Sequence, residues 1–171
     1  MSSIPEFGEL LAGARRTAVH LETRDVYYSN PRFEAWKNGE RTDWDDRASW
    51  WRSFHDEIAD AVARGVSVRR ARVVSEPVTD YIRWENYVTA ANVAAGEQVR
   101  WLSRRQATDL LIPVNDFWIF DDQLMRVHHF TGDGAWADKE LCDDPGVVGT
   151  CSAAFERIWE RAIPHDEYEV K

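Results

Sequence analysis

Between residues 66 and 102 the sequence changes its period twice, and that limits the folds open to the chain. Residues 66–74 are rich in β-branched side chains. From about 79 to 95 the apolar residues Trp84, Tyr87, Val88, Ala91 and Ala95 recur on one helical face, and Gly96 follows as a stop. Residues 98–102 return to a β pattern. A strand, a helix and a second strand in close succession predict a βαβ crossover onto a parallel or mixed sheet.

The flanking segments can be read the same way. Phe7, Leu10, Leu11 and Ala14 predict a short helix over 6–16, and alternation over 18–24 predicts a strand. Residues 30–46 hold Phe33, Trp36 and Trp44 among Pro, Gly and Asp, which predicts a short helix and a loop. Trp50, Phe54, Ile58, Ala61 and Val62 form the apolar face of a further helix. The runs 116–120 and 124–130 form a hairpin whose turn, Asp121-Asp122-Gln123, lacks the favoured glycine. Residues 136–141 add a short edge strand. Asp144 and Pro145 supply an N-cap and a first helical residue for a C-terminal helix carrying Val148, Phe155, Ile158 and Trp159. The expected class is α/β, as one domain over 1–171. It has a single mixed sheet of roughly five strands with helices packed on it, one βαβ crossover and a C-terminal helix.

Nine tryptophans imply a large aromatic core or an aromatic-lined cleft. A net charge of −9 argues against duplex DNA as the main partner of the isolated chain. Glu40, Asp43, Asp45 and Asp46 form one acidic group, and residues 138–144 hold another. Cys142 and Cys151 lack the close Cys/His pairs of a zinc site, so neither a metal nor a disulfide framework is expected. There is no signal-peptide pattern at the N-terminus, and no apolar run approaches the roughly 20 residues that span a bilayer. The expectation is a cytoplasmic protein with no membrane contact and no cofactor.

Three groups of residues could carry chemistry. His20, Glu22 and Arg24 fall on one side of the first strand, with Asp25 at its end. A histidine and a carboxylate at this spacing can share a proton, hold a ligand, or form ion pairs on a solvated face. In the crossover, Arg69 points to one face of its strand and Arg70 and Arg72 to the other. Three strand arginines must reach water, carboxylates or an anion. Glu76, Tyr81 and Arg83 follow around the helix start, where capping and ligand binding compete. Arg100, Trp101, Arg104 and Arg105, with Arg69, could form a stripe for single-stranded nucleic acid or pair internally. His128 and His129 are adjacent, so a regular strand turns them to opposite faces. The chain has no Gly-rich phosphate loop, no Gly-x-Ser-x-Gly, no His-Glu-x-x-His and no His-x-Lys.

The strings at 20–25, 70–77, 99–102 and 115–122, taken in order, resemble a family of unknown function common in Streptomyces and other actinobacteria. Residues 153–159 and Pro164-His165 are also similar to it. The resemblance implies a regulatory setting, because members are often encoded beside helix-turn-helix regulators and small partner proteins. The order of strands and helices is similar to the phospholipase D-like fold, and the missing His-x-Lys then implies a non-catalytic relative. The expected function is an accessory regulatory or binding protein acting through a protein partner, such as a helix-turn-helix regulator, or a small-molecule ligand. Its contact zone is His20, Glu22, Arg24 and Asp25 with Arg72, Glu76, Tyr81 and Arg83. The alternative is an enzyme of unfamiliar type using carboxylate, His or Tyr acid–base chemistry.

Overall fold

The computed structural model describes residues 4–28 and 30–171. The parallel core is β1 (Thr17–Glu22), β2 (Ser67–Val74) and β3 (Gln98–Ser103), with β1 and β3 on either side of β2. Beyond β1 the hairpin of β4 (Asp116–Phe120) and β5 (Leu124–Phe130) joins antiparallel, followed by β6 (Trp136–Cys142). On the other edge β7 (Ile163–Pro164) pairs with β3, giving the order β6-β5-β4-β1-β2-β3-β7. Among the described residues the sheet thus has seven strands where about five were expected, and two parallel connections rather than one. β7 is only two residues long and is defined by its pairing alone. The first crossover was hidden because it runs through the aromatic and Pro/Gly-rich stretch read as helix and loop.

That stretch contains α2 (Pro31–Lys37), started by the Asn30 side chain, and a single turn, α3 (Arg47–Trp50). α1 (Phe7–Gly13) precedes β1, α4 (Ser53–Ala63) precedes β2, and α5 (Asp80–Ala94) links β2 to β3. Thr79 caps α5 by accepting from the Ile82 amide. The buried stripe of α5 is wider than its periodicity implied, and takes in Tyr81, Ile82, Glu85, Thr89 and Asn92. α6 (Pro145–Arg161) is capped by the Asp144 carboxylate, as its sequence predicted.

Strand alternation sends neighbouring residues to opposite layers. Val19, Leu21, Ala71, Val73, Leu102, Phe117 and Ile119 pack against Val148, Phe155 and Ile158 of α6. On the other face, Ala18, Val68, Trp118 and Phe120 pack with Leu11, Ile58 and Ala61 of α1 and α4. Val74, Val99 and Trp101 pack there with Phe33, Tyr81 and Trp84 of α2 and α5. These last two clusters lie on one face but remain separate, because polar residues of β1 and β2 stand between them. The hairpin turn works without glycine because Asp121 and Asp122 both adopt positive φ, 53° and 58°. The Asp121 carboxylate accepts from the amides of Arg15, Arg16 and Thr17, tying the turn to the start of β1. Among the described residues, no helix is long and apolar enough to cross a membrane.

Candidate functional site

The polar seam is set by strand register. His20 lies beside Arg70 and Glu22 beside Arg72 across β1 and β2, while His20 lies beside Trp118 across β1 and β4. Registered neighbours share a face, so two acid–base residues and two guanidiniums are brought together under α4 and α5. His20, Arg70 and Arg72 are all buried, as are Glu85 of α5, Glu97 just before β3, and Asp116 at the start of β4.

Burying such charges is costly unless each finds a partner. The Glu22 carboxylate takes Arg70 Nη1 at 2.9 Å and Arg72 Nε at 2.7 Å. Arg70 Nε reaches Glu97 at 2.7 Å, and Asn92 Nδ2 donates to the same carboxylate at 2.7 Å. Arg72 Nη1 reaches Glu85 at 2.9 Å, and its guanidinium lies 5.0 Å above the Trp101 ring centre. Two guanidiniums therefore serve three carboxylates, unequally. Burial alone would raise Glu22, but Arg72 and Arg70 outweigh it and hold that carboxyl below its usual range. Glu85 has Arg72 alone; burial dominates, and its pKa is pushed up to about 7.

The histidines continue the layer. His20 stacks on Trp118 with ring centres 4.4 Å apart and meets the edge of His128 at 5.6 Å. Burial, then the positive charge of Arg70, push His20 well below the ordinary imidazole value. Burial followed by Arg126 pushes His128 down to about 4. Both rings are neutral at physiological pH, and the buried Nε2 atoms of both lack a hydrogen-bond partner among the described residues.

At the carboxyl end of the parallel strands, Asp116 accepts from the Thr23 amide and hydroxyl at 2.8 and 2.9 Å and from the Tyr27 hydroxyl. Burial nevertheless raises the Asp116 carboxyl, and burial first, then Glu22, raises the Tyr27 phenol well above its ordinary range. Asp25 accepts from the Ser75 amide and hydroxyl at 2.6 and 2.7 Å, and Arg104 Nη2 donates to the Thr23 carbonyl at 2.6 Å. The loops that follow β1 and β2 are thus tied together.

Of the eight residues picked from the sequence, the structure brings His20, Glu22, Arg72 and Tyr81 into this layer, with Asp25 at its rim. Arg24 lies beyond the end of β1 and leans over Phe130, 5.2 Å from the ring centre. Glu76 points away, accepting from the Tyr168 hydroxyl at 3.0 Å, and Arg83 is exposed on the outer side of α5. Tyr27, Glu85, Glu97, Asp116 and His128 belong to the layer and were not picked. Glu85 left a sequence signal, as a carboxylate one turn after Tyr81 on a helix facing an arginine-bearing strand. The arginine stripe is largely engaged within the fold. Arg69 pairs with Glu156, and Arg100 donates to the Trp159 carbonyl. Trp101 is fully buried, stacked on Tyr168 at 5.3 Å, so it offers no exposed platform for a base. Among the described residues, no group of three His, Cys, Asp or Glu side chains is placed to hold a metal ion.

A family model for a domain of unknown function, DUF6879, matches residues 5–170. The chain belongs to that family. No curated protein matches the sequence significantly. Among solved structures, the DUF6879 chain is similar to TrmBL2, an archaeal chromatin protein, with TM-score 0.48 and 14% identity over 91% of this chain. It spans about half of that protein, 47% of its length. It is also similar to Nuc of Salmonella typhimurium, a phospholipase D family member, with TM-score 0.48, 13% identity, and 92% and 86% of the two chains covered.

Proposed function

We propose that this DUF6879 protein is an accessory binding protein that acts through a protein partner or a small ligand, with the buried polar layer as its frame. The observation that carries this reading is that the layer's carboxylates and guanidiniums are tied to one another. Glu22 is clamped by two arginines, Glu97 by an arginine and an amide, and Asp116 by three donors. A general acid or base must be free to reach a substrate proton, and these groups are committed to structural bonds.

The surface supports a protein partner. Glu40, Asp43, Asp45 and Asp46 are exposed, and none forms a salt bridge among the described residues. Such an acidic group complements a basic surface such as a DNA-binding helix-turn-helix domain, the class of partner that the family resemblance implies. The test is to purify the tagged protein from its native host and identify stoichiometric companions by mass spectrometry. A basic partner is expected, with affinity that falls at high salt and on neutralising Asp43, Asp45 and Asp46 to Asn. Transformation of a metabolite by trace amounts of the pure protein would overturn the reading.

One observation favours the enzymatic alternative. Two neutral histidines, a carboxyl near 7 and a raised Asp116 are gathered in one layer, and such groupings cluster at active sites. Turnover lost in both His20→Ala and Glu85→Gln, with the fold retained, would establish it.

A further inference from the structure

On the side of α6 turned away from the sheet lies an apolar groove of about 650 Å³, walled by Leu111, Ile112 and Pro113. Its floor is the helix surface at Gly146, Gly149, Thr150 and Ala153, and Arg157 stands at one end. Leu111 on the wall is 85% exposed, and Val147 beside the floor is 46% exposed.

Nothing within the monomer explains Gly149. It sits inside a helix, where glycine is the least favourable residue after proline. Its φ is not positive, and an added Cβ would meet no atom within 4 Å. A helix that keeps its surface this low, beside an exposed leucine wall, fits close approach by something outside the chain.

The occupant is set by a symmetry in α6. An antiparallel copy of the helix, related by a two-fold axis near Thr150, places each residue opposite one whose number makes the sum about 300. Gly146 of one copy then comes level with Ala153 of the other, both on the groove floor, and Gly149 lies beside the axis. Arg157 faces Asp143 of the other copy at both ends of the pair. Both are exposed, and neither has a salt-bridge partner among the described residues. A self-complementary stripe with opposite charges at its two ends is what an isologous interface requires.

We propose that the groove is closed by α6 of a second copy, forming a two-fold antiparallel dimer. The surface is separate from the polar layer, so the proposal stands independently of the function argued above. The experiment is sedimentation velocity across 1–200 μM (roughly the range of transient and stable homodimers) on the full chain and three variants. Wild type is expected at twice the chain mass. Gly149→Leu, which the open space accommodates and which improves helix propensity, is expected to sediment as a folded monomer, with association weakened at least about 100-fold. Arg157→Asp is expected to be monomeric, and Asp143→Arg with Arg157→Asp to restore the dimer. Thr150→Cys, in a Cys142→Ser/Cys151→Ser background, should form a covalent dimer on oxidation.

A wild-type monomer throughout the range would overturn the proposal. So would a dimer indifferent to Gly149→Leu, or a charge swap that fails to rescue. A monomer that binds an apolar dye, with binding lost in Gly149→Leu, would assign the groove to a small ligand and equally overturn it.

Discussion

The two faces of the central strands use the same residues' backbones for opposite ends. Toward α6, β1 and β2 present Val19, Leu21, Ala71 and Val73, which meet Phe155 and Ile158 in an apolar layer. One residue along, the same strands present His20, Glu22, Arg70 and Arg72 to α4 and α5. The first face stabilises by removing area from water, a non-directional effect that tolerates repacking. The second has to match donor to acceptor, or pay the desolvation of each charge. Where β1 and β2 meet α6, stability therefore comes from buried area. Geometric exactness, and any recognition built upon it, lies on the other face.

The largest effect that can break this contrast is expected at Arg72. Arg72→Ala strands Glu85 without its arginine and leaves Glu22 with Arg70 alone, so the variant should lose about 3–5 kcal/mol in urea denaturation. Phe155→Ala on the opposite face should lose a similar ~3–5 kcal/mol. The two losses differ in how they are repaired. Pairing Arg72→Met with Glu85→Leu removes both charges and should recover more than about 1 kcal/mol relative to Arg72→Ala. No recovery would mean that the layer's worth lies in packing against Trp101 rather than in its charges.

Legibility in the sequence follows the same division. The apolar face could be read because its signal is local. Alternation located β1 and β2, and the β4–β5 hairpin was placed at its observed bounds, 116–120 and 124–130. The arginines and the His20/Glu22 pair were also visible, since two residues of spacing put them on one side of a strand. Which carboxylate each arginine meets was not. Glu85, Glu97 and Asp116 meet Arg72, Arg70 and Tyr27 from 13, 27 and 89 residues away, respectively, and no periodicity links positions so separated. Buried arginines require carboxylates without naming them, and only the register of β1, β2 and β4 decides which arrive. β7 and the first crossover escaped for a related reason, because each is defined by tertiary pairing rather than by its own pattern.

Acidity should separate the two faces next. His128 is held at about 4 in the folded protein against about 6.5 unfolded. Below pH 6.5 the unfolded chain binds the extra proton, so stability is full above that value and falls as pH drops toward 4. The loss is up to about 3 kcal/mol. His20, also depressed, acts in the same direction. Glu85 acts in the opposite one: with a folded value of about 7, it costs stability as pH rises from about 4.5 to 7. His128→Gln should therefore flatten the pH dependence between 4 and 6.5, and Glu85→Gln should steepen it, as read by urea midpoints. The cost of Phe155→Ala should stay level over the same range. A wild-type profile unchanged by His128→Gln would show that this ring titrates normally.

The smallest effect is expected one residue from the largest charge network. Arg69 pairs with Glu156 through both terminal nitrogens, at 2.9 and 2.6 Å, a geometry as good as any within the buried layer. Yet Glu156 is 45% exposed, whereas the Glu97 side chain that meets neighbouring Arg70 is 0% exposed. Without Glu156, the Arg69 guanidinium keeps the ring faces of Phe155 and Trp159, each 5.3 Å away, and can turn to water. Glu156→Ala should consequently cost less than about 1 kcal/mol and grow smaller with added salt. Distance alone thus ranks the two pairs as equals, while solvent access predicts a several-fold difference between them. A cost for Glu156→Ala matching that of Arg72→Ala would mean that the α6 face, too, depends on fixed charge, and the contrast between the faces would fail.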